Sequence, residues 1–506
     1  NLKTNEIIGK EVKVDFIDSF FGNKKNDPKL VGKSVISDDN KTKIFKTVFS
    51  TCNIENKNCR GWELQSEEFI HDKKEKIFQY NNSWLKVFNK KVFFFPYFSH
   101  PDPTVKRKSG FLTPSYQSSD NLGKSIKIPY FYALSDAKDM TFNPKIYMDS
   151  DFIFQTEYRE AFKNSNLISD FSINNDENNI NTHIFAKLDG KLNDSTNFDL
   201  QIQNVTNDNY LKIHDLGLTS PIINDTSVLT THLTLDKEID KNTNLNTSFK
   251  IYEDLSKKDS DRYQYIFPDF SFSKKIEVDE DYNGNFNFTS FGYQKNYETN
   301  KYEAVVNNDF LFNSYNFVSE SGITTDYDLL LKNLNTYSDN STNYNNKNDH
   351  ELYSTALIKA QYPLKKQLEN SNNYLKPIIS ARFSPNNPKN ISGDDVRLGY
   401  GNLFSLNRIG RSDMVEGSRS LTIGVEFEKQ NLLNEKMFGF NIGNVIKDKK
   451  SSNLPTKSKL GQTRSDIVGD VSLNLIKNFD LEYKFSYDRD LDYSNYDSIG
   501  TKFEVN

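Results

Sequence analysis

The sequence has no long apolar run. Across 506 residues no stretch approaches the 18 or more apolar residues that a membrane-spanning helix requires, so helical membrane insertion is excluded. Hydrophobic residues make up 36% of the chain, and the mean hydropathy of -0.71 is low for a folded protein of this size. Aromatic residues nevertheless reach 13%. Disordered chains contain few aromatic residues, so disorder is excluded as well.

The sequence also lacks a large excess of either charge, and it contains no recognisable catalytic motif. Its 64 basic and 69 acidic residues are interspersed, which argues against a protein that binds nucleic acid electrostatically. The six histidines are scattered, and no HExxH, GxSxG or phosphate-binding loop occurs. Asp259, Ser260 and Asp261 fit a solvated turn better than a divalent-ion site. We therefore expect no enzyme activity, no cofactor and no metal.

Cysteine is nearly absent. Cys52 and Cys59 are the only two, and an even count favours a disulfide, whose short loop would add about 2 to 3 kcal/mol by the chain-entropy estimate. A zinc site needs four ligands, and no CxxC or histidine pair lies nearby, so a disulfide is favoured over a metal. Two free thiols in a cytosolic protein are the remaining alternative.

Both ends of the chain look cut. The sequence begins at Asn1 without a charged and apolar leader, and it ends in FEVN rather than in the terminal aromatic residue of outer-membrane barrels. We therefore expect a fragment that lacks both termini.

Residues 1 to about 95 consist of short strand-like segments between turn signals. Turns are predicted at residues 38–40 and at Asn81 and Asn82. A spacing of about ten residues between turns is typical of a β-sandwich or jelly roll. The predicted strands are residues 11–16, 43–49, 62–69, 76–80, 83–88 and 92–98.

From Ser109 onward apolar and polar residues alternate strictly, as in FDLQIQ at 198–203 and LEYKFSYD at 481–488. We count roughly sixteen to nineteen such segments of about ten residues, the length of a tilted strand that crosses a bilayer. Alternation alone does not say which face is outside. So many two-faced strands exceed an ordinary sandwich, and closing them into a barrel removes their edges. Long polar connections are predicted at 336–349 and 447–464. The sequence therefore predicts an all-β protein with a large antiparallel transmembrane β-barrel.

Three motifs carry a family resemblance. They are the pair His71 and Asp72, the stretch FPYFSHPDPTVKRKSGFLTPSYQSSDNLG at 95–123 followed by IPYFYAL at 128–134, and NLFSLNRIGRSDMVEG at 402–417. In this order, over nearly the whole chain, they resemble the LptD family of lipopolysaccharide-assembly proteins of Gram-negative bacteria. The likeness is greatest to alphaproteobacterial members.

The resemblance implies both a fold and a function. Residues 1–105 would be the C-terminal part of a periplasmic β-jelly roll with its linker, and 106–506 the N-terminal and central strands of an incomplete outer-membrane barrel. Such a protein translocates lipopolysaccharide from the periplasm through the jelly roll and a lateral gate in the barrel into the outer leaflet of the outer membrane. The implied partners are the lipoprotein plug LptE, the periplasmic bridge LptA and the Bam machinery for insertion.

The resemblance also implies site residues. Pro114 in FLTP and Pro129 in IPYFY match prolines of the first two barrel strands. A proline removes one ladder donor and weakens pairing, so we predict that these two form the lateral gate; the alternative is that both lie at strand ends. Cys52 matches a jelly-roll cysteine that in some members bonds to cysteines near the C-terminus, and Cys59 is a local alternative partner.

Two further sets of candidates lie in and after the jelly roll. Apolar side chains there would line the lipid path, although they would equally suit a filled core. Lys106, Arg107 and Lys108 would contact lipid phosphates or, alternatively, form membrane-proximal charge. The lipid-path candidates are Phe69, Ile77, Leu85, Val87 and Phe94.

Two other functions stay open. A passive porin or receptor-type barrel would lack a jelly roll before its first strand and would not need the two prolines. A soluble secreted β-sandwich protein would remain in the supernatant after carbonate washing of membranes.

Overall fold

The structure is a computed structural model of the chain. Strands make up 67% and helices 4% of it, so the predicted all-β class is confirmed. Among the residues that the structure describes, no helix combines the length and apolarity needed to span a membrane. Those residues are 6–15, 29–50, 61–102, 104–105, 107–119, 122–148, 152–176, 179–218, 220–278, 282–387, 389–476 and 479–503.

The chain divides into two compact units. The first unit comprises Asn1–Ile184 and Val205–Ile222, and the second comprises Phe185–Asn204 and Ile223–Asn506.

The first unit begins with a six-stranded antiparallel sheet in which each strand pairs with the next along the chain. Its strands are β1 (Ile7–Asp15), β2 (Lys29–Ser37), β3 (Lys41–Ser50), β4 (Trp62–Asp72), β5 (Ile77–Val87) and β6 (Lys90–Pro101).

Two features of this sheet differ from the sequence prediction. The turn predicted at Asn81 and Asn82 is wrong, because β5 continues through both residues. Their side-chain amides donate to Glu68 and Glu67 on β4, each at 2.8 Å, and Asn82 has a φ of 47°. Asparagine tolerates this left-handed conformation, so the strand continues through it without turning. The prediction also missed β2, since its sequence KLVGKSVIS does not keep a period of two.

The rest of the first unit is a second set of antiparallel strands. The segment Val205–Ile222 packs against these strands, where the Tyr210 hydroxyl bonds to Ser172 at 2.8 Å and the Tyr147 hydroxyl to His214 at 3.2 Å. The elements are β7 (Gly110–Phe111), β8 (Ser115–Ser119), β9 (Gly123–Lys127), β10 (Tyr130–Ser135), β11 (Lys138–Tyr147), β12 (Phe152–Ala161), β13 (Ser165–Asp176), the helix α1 (Tyr210–Ile213) and a 3₁₀ turn at Leu216–Leu218.

The second unit is a long antiparallel meander, in which apolar and polar side chains alternate along the strands. Two short strands, Phe317–Val318 and Leu364–Gln367, each pair with the strand that follows them in the chain. The elements, beginning with a strand that crosses the boundary between the units, are β14 (Asn179–Asn193), β15 (Thr196–Val205), β16 (Val228–Asp240), β17 (Thr243–Asp254), β18 (Tyr263–Ile276), β19 (Gly284–Tyr297), β20 (Lys301–Ser314), β21 (Phe317–Val318), β22 (Thr324–Asp339), β23 (Asp349–Gln361), β24 (Leu364–Gln367), β25 (Asn372–Ser384), the helix α2 (Tyr400–Leu403), β26 (Ser418–Gln430), β27 (Lys436–Lys447), β28 (Ile467–Ile476), β29 (Phe479–Tyr487) and β30 (Ser494–Phe503), with 3₁₀ turns at Asp259–Arg262 and Lys457–Lys459.

The two longest connections of the second unit lie at one end of its strands, together with the three-residue connection 298–300, and we call the opposite end the short end. Residues 241–242 and 431–435 make tight connections at the short end. Residues 385–417 and 448–466 connect strands at the opposite end, and the second of these agrees with the predicted loop at 447–464. The loop predicted at 336–349 is reduced to 340–348 because β22 extends to Asp339.

The two faces of this sheet differ in exposure. On one face, which we call the open face, large apolar side chains are exposed. The side chains at the alternate positions point to the other face and are buried. We call this second face the covered face. A large exposed apolar surface marks contact with lipid or another protein. Open-face residues include Phe310, Leu329, Leu331, Ile358, Ile379, Phe383, Leu421 and Ile423.

Candidate lipid-handling site

One face of the six-stranded sheet carries an apolar cluster. Phe69 is 2% exposed and packs against Phe78 and Tyr80, with ring centroids 5.1 Å away in both cases. Leu64 is buried in the same cluster, and Leu85 packs against it from β5. We call these residues and their side of the sheet the apolar face of the first sheet.

The lipid-path candidates divide between the two faces of this sheet. Phe69 and Leu85 lie together on the apolar face, and Val87 follows two residues after Leu85 on the same strand. Ile77 and Phe94 are each next to a residue of the apolar cluster, so strand alternation directs them to the other face. Phe94 there contacts Trp84, with 5.0 Å between ring centroids. All five residues stay predicted lipid contacts.

The densest apolar run of the sequence forms β6, at the end of the sheet order. Val92 is 61%, Phe93 56% and Tyr97 56% exposed. Such exposure on neighbouring positions of one strand indicates a surface that meets an apolar partner.

The chain leaves this sheet through a tethered linker. The Asp102 carboxylate lies 2.8 Å from His71 Nε2 and accepts from the Thr104 backbone N–H at 2.6 Å, while the Asp102 N–H donates to the Lys76 carbonyl at 2.9 Å. Burial alone would raise the pKa of Asp102, but the hydrogen bonds from Thr104 and His71 outweigh it and lower that pKa. His71, part of the first family motif, therefore fixes the start of the linker.

The basic cluster after this tether contacts protein. Arg107 pairs with Asp139 on β11, whose carboxylate also accepts from Arg159 at 2.8 Å. Lys108 donates to the Glu75 carbonyl at 3.0 Å, in the turn between β4 and β5. Lys106 lies outside the described residues. Arg107 and Lys108 thus hold the linker between the first sheet and the strands that follow, and their contact with phosphate stays a prediction.

Each predicted gate proline interrupts a strand. Pro114 is exposed between β7 and β8, and Pro129 is buried between β9 and β10. The pairs Phe111 with Tyr130 and Ser115 with Lys127 flank this break, so three residues on one strand face two on the other. That mismatch is a β-bulge, and it disrupts the ladder locally.

Sequence reasoning missed a third proline at the same level. Pro144 lies within β11, and its carbonyl accepts from the Ile128 N–H at 3.2 Å, while the Pro129 carbonyl accepts from the Leu112 N–H at 2.8 Å. Pro144 lies on β11, the next strand after the one that Pro129 precedes. A proline recurring in successive strands of the sequence was the signal that could have revealed it. Three neighbouring strands therefore each lack a ladder donor at one level.

In the second unit, the long connections 385–417 and 448–466 fold onto the covered face. Their apolar side chains pack against residues of β20, β22, β23, β27 and β28 in one buried cluster. The third family motif, residues 402–417, lies in this packed region. The cluster contains Val305, Leu334, Tyr353, Ile391, Leu398, Leu403, Ile409, Met414, Val415, Val445, Leu454, Leu460 and Val468.

A buried ionic cluster fixes the motif to the sheet. Glu416 receives two hydrogen bonds from Arg408, at 2.8 and 3.0 Å, and lies 2.8 Å from Lys447 Nζ. Arg382 donates to the Glu416 backbone carbonyl at 2.7 Å. All four residues are at most 5% exposed, so three cations surround one carboxylate away from water. Burial would raise the pKa of Glu416, but the charges of Arg408, Lys447 and Arg382 lower it to about 2.

Two glycines allow the motif to approach the strands. Gly424 on β26 and Gly443 on β27 lie directly opposite each other. A Cβ on Gly443 would come within 2.6 Å of both Leu403 Cδ2 and the Ile423 carbonyl, and one on Gly424 would come within 2.9 Å of Phe404. The absence of side chains there makes room for α2.

Replacing Gly443 with alanine is therefore expected to destabilise the packed region by about 1 to 3 kcal/mol, the usual cost of overpacking. The measurement is the rate at which a protease cuts residues 385–417 in the folded protein. Gly500→Ala is the matched control, because the nearest atom to its added Cβ would be 4.0 Å away. Equal cleavage of the two variants would contradict this packing.

The first sheet is expected to lose stability as the pH falls from 7.5 to 5.5. Burial lowers the pKa of His100, whose Nε2 lies 3.0 Å from the Tyr80 hydroxyl. Stability from neutral His100 is present above its unfolded pKa of about 6.5 and is lost as the pH falls towards the lower folded value. Trp62 and Trp84 are the only tryptophans and both lie in this sheet, so their fluorescence reports its denaturation midpoint.

His100→Asn should show a smaller shift of that midpoint with pH, whereas His350→Asn, in the second unit, should behave as the unaltered protein. An undiminished shift in His100→Asn would refute this assignment.

The fold and site define an all-β protein whose second unit exposes an apolar face, as the strands of outer-membrane proteins do. The family model described as "LptD: LPS transport system D" matches residues 180–506, more than half of the chain. The chain therefore belongs to the LptD family.

Curated relatives agree with this membership. The chain is 32% identical over 127 residues to the LPS-assembly protein LptD of Shewanella frigidimarina (strain NCIMB 400), covering 25% of the chain and 16% of that protein. It is 27% identical over 164 residues to LptD of Pseudoalteromonas translucida (strain TAC 125), covering 31% and 22%. The matches thus span less than a quarter of either relative.

A solved bacterial polysaccharide outer membrane secretin matches with a TM-score of 0.22 and 8% identity, covering 61% of this chain and 90% of that one. This likeness is too weak to support a conclusion. Cys52 and Cys59 lie outside the described residues, and their pairing stays a prediction.

Proposed function

We propose that this chain is part of a lipopolysaccharide-assembly protein of the outer membrane. Its first sheet receives lipopolysaccharide in the periplasm, and its later strands form a transmembrane barrel that releases the lipid into the outer leaflet. The observation that carries the proposal is the family match over residues 180–506, together with the apolar open face. The protein acts by transport, without catalysis.

The path begins on the apolar face of the first sheet. Phe69 and Leu85 supply an apolar surface for acyl chains, and Phe98 of β6, whose ring centroid lies 5.8 Å from that of Tyr80, continues it towards the linker. Arg107 and Lys108 hold this exit next to β11. A lipid leaving the first sheet would therefore next meet the strands β7 to β11, which Pro114, Pro129 and Pro144 interrupt or occupy.

The lateral gate lies at those strands. Pro114, Pro129 and Pro144 leave the ladder short of donors at one level, and each missing hydrogen bond is worth about 0.5 to 1.5 kcal/mol net. In lipid no water replaces the lost partner, so strand separation costs least at this level. Lipopolysaccharide leaves sideways through the opened strands.

The partners proposed with this function are LptE as a plug inside the barrel, LptA as the periplasmic donor and the Bam machinery for insertion.

The test is depletion of the full-length protein in the bacterium that encodes it. Surface lipopolysaccharide, labelled on intact cells, should fall while the lipid accumulates in the inner membrane and periplasm. Carbonate washing should leave the protein in the membrane pellet. Normal surface lipopolysaccharide with loss of small-solute uptake would instead identify a porin or receptor, and recovery in the supernatant would identify a soluble secreted protein.

A further inference from the structure

The open face of the second unit contains a hollow between neighbouring strands. Ala356 on β23 lies opposite Leu329 on β22 and Phe383 on β25, so a small side chain stands between two large ones. In the adjacent row, Ala381 lies opposite Leu421. The two alanines open a groove of about 630 Å³ whose lining is almost wholly apolar. Ligand sites commonly have volumes of this order.

A second hollow of about 450 Å³ adjoins the first on the same face. Both hollows are lined by Leu329, Ala356 and Phe383, and the second continues to Phe310 and Phe286 on neighbouring strands. Two apolar hollows that share three lining residues suit a molecule with several acyl chains better than a single compact ligand.

A cation stands at one end of the first hollow. Arg419 is exposed at the start of β26, and its guanidinium carbon lies 5.5 Å from the centroid of the Phe383 ring. The Asp448 carboxylate is close but accepts from the Arg419 backbone N–H, at 3.3 Å. Among the described residues no carboxylate forms an ion pair with this guanidinium. Arg419 is therefore able to bind an anionic group of a ligand in the hollow.

The position of Arg419 identifies the side of the membrane. It lies at the end of the strands where the long connections 385–417 and 448–466 begin. In outer-membrane strands the long connections are extracellular and the short ones periplasmic. The cation therefore lies at the level of the outer-leaflet head groups, with the hollows below it among the acyl chains.

We propose that the two hollows and Arg419 form a binding site for lipopolysaccharide of the outer leaflet. Acyl chains occupy the hollows, and a lipid A phosphate pairs with the guanidinium, whose planar donors suit phosphate. This inference rests on the proposed function. It concerns β19 to β27 of the second unit, whereas Pro114, Pro129 and Pro144 belong to the first unit, so the site holds lipid already in the outer leaflet.

The test measures lipid retained by the purified full-length protein in detergent, by native mass spectrometry with added lipopolysaccharide. Ala381→Phe fills the first hollow with an apolar side chain and is expected to weaken binding at least tenfold. Ala360→Leu enlarges another alanine on the same face of β23, outside both hollows, and should leave binding unchanged. Arg419→Gln should weaken binding about tenfold, the loss of one charge-assisted contact.

The phosphate contact has a separate readout. Lipopolysaccharide dephosphorylated on lipid A should bind Arg419→Gln and the unaltered protein equally. Equal retention of lipopolysaccharide by Ala381→Phe, Ala360→Leu and the unaltered protein would overturn the site. It would show that the retained lipid surrounds the protein without a specific site. Preferential retention of glycerophospholipid would overturn the assigned ligand.

Surface lipopolysaccharide in cells separates this inference from the proposed function. The groove variants are expected to deliver lipid normally, since they do not touch the gate. If the groove binds no lipopolysaccharide while depletion of the protein still abolishes surface lipid, the inference fails and the function stands. If depletion has no effect on surface lipid, the proposed function fails first.

Discussion

Replacing Glu416 with glutamine is expected to cost about 3 to 5 kcal/mol of stability, the usual result of removing one partner from a buried ion pair. The substitution leaves Arg408, Lys447 and Arg382 buried without a counter-charge, and at most 5% of any of these side chains is exposed. Total stabilities of folded proteins are typically about 5 to 15 kcal/mol. A loss of this size removes a large part of such a stability, so we expect the packed region of the second unit to open far more often in the variant.

The measurement is the urea midpoint of the purified protein, with protease cleavage of residues 385–417 as a local readout. Glu298→Gln is the matched control, because Glu298 pairs with Lys301 at 2.5 Å but its side chain is 43% exposed. Exposed pairs contribute at most about 1 kcal/mol. If the urea midpoints of Glu416→Gln and of the control differ equally little from that of the unaltered protein, the stabilising role of the buried ionic cluster is contradicted.

The same cluster predicts an acid limit. The folded pKa of Glu416 is lowered to about 2, below the unfolded value of about 4.3. Its contribution to stability is therefore present above pH 4.3 and is lost as the pH falls towards 2. Between pH 5 and 8 the packed region should show no loss from this group.

Replacing Pro114 and Pro129 together with alanine is expected to lower surface lipopolysaccharide while the barrel still folds. Alanine restores two backbone donors, and two added hydrogen bonds raise the cost of strand opening by about 1 to 3 kcal/mol. A gate that must open would then be open about 5 to 150 times less often. Labelling of lipopolysaccharide on intact cells measures the effect in the full-length protein.

Pro377→Ala provides the matched control, since Pro377 lies within β25 of the second unit, whereas Pro114 and Pro129 belong to the first unit. It should leave surface lipid unchanged at equal protein levels. Normal export in the double variant would refute the gate. Poor folding of the double variant, with normal folding of Pro377→Ala, would show that Pro114 and Pro129 serve the fold instead.

The sequence carried the strand pattern well but not its irregularities. Alternation in the second unit predicted strands because one face is apolar and the other polar along each of them. It could not reveal that residues 385–417 pack back onto the covered face, since that depends on contacts distant in sequence. The same limit hid the continuation of β5 through Asn81 and Asn82, whose side chains form hydrogen bonds to β4 where a turn was predicted.

The candidate site shows a similar division. The family motif pointed to residues 402–417, which include Arg408 and Glu416. It gave no indication that Arg382 and Lys447, on β25 and β27, complete the cluster, because strand alternation says only that they face inward. Pro129 was predicted from its motif, whereas Pro144 emerged only once the strands were aligned.

The most direct test of the central claim places a photo-crosslinking amino acid in the first sheet of the full-length protein in cells. At Leu85, on the apolar face, the account predicts a covalent adduct with lipopolysaccharide in transit. At Asp39, exposed in the turn between β2 and β3 of the same sheet, we predict little or none. Adducts to neighbouring protein alone at Leu85 would indicate a filled core and contradict a lipid path through this sheet.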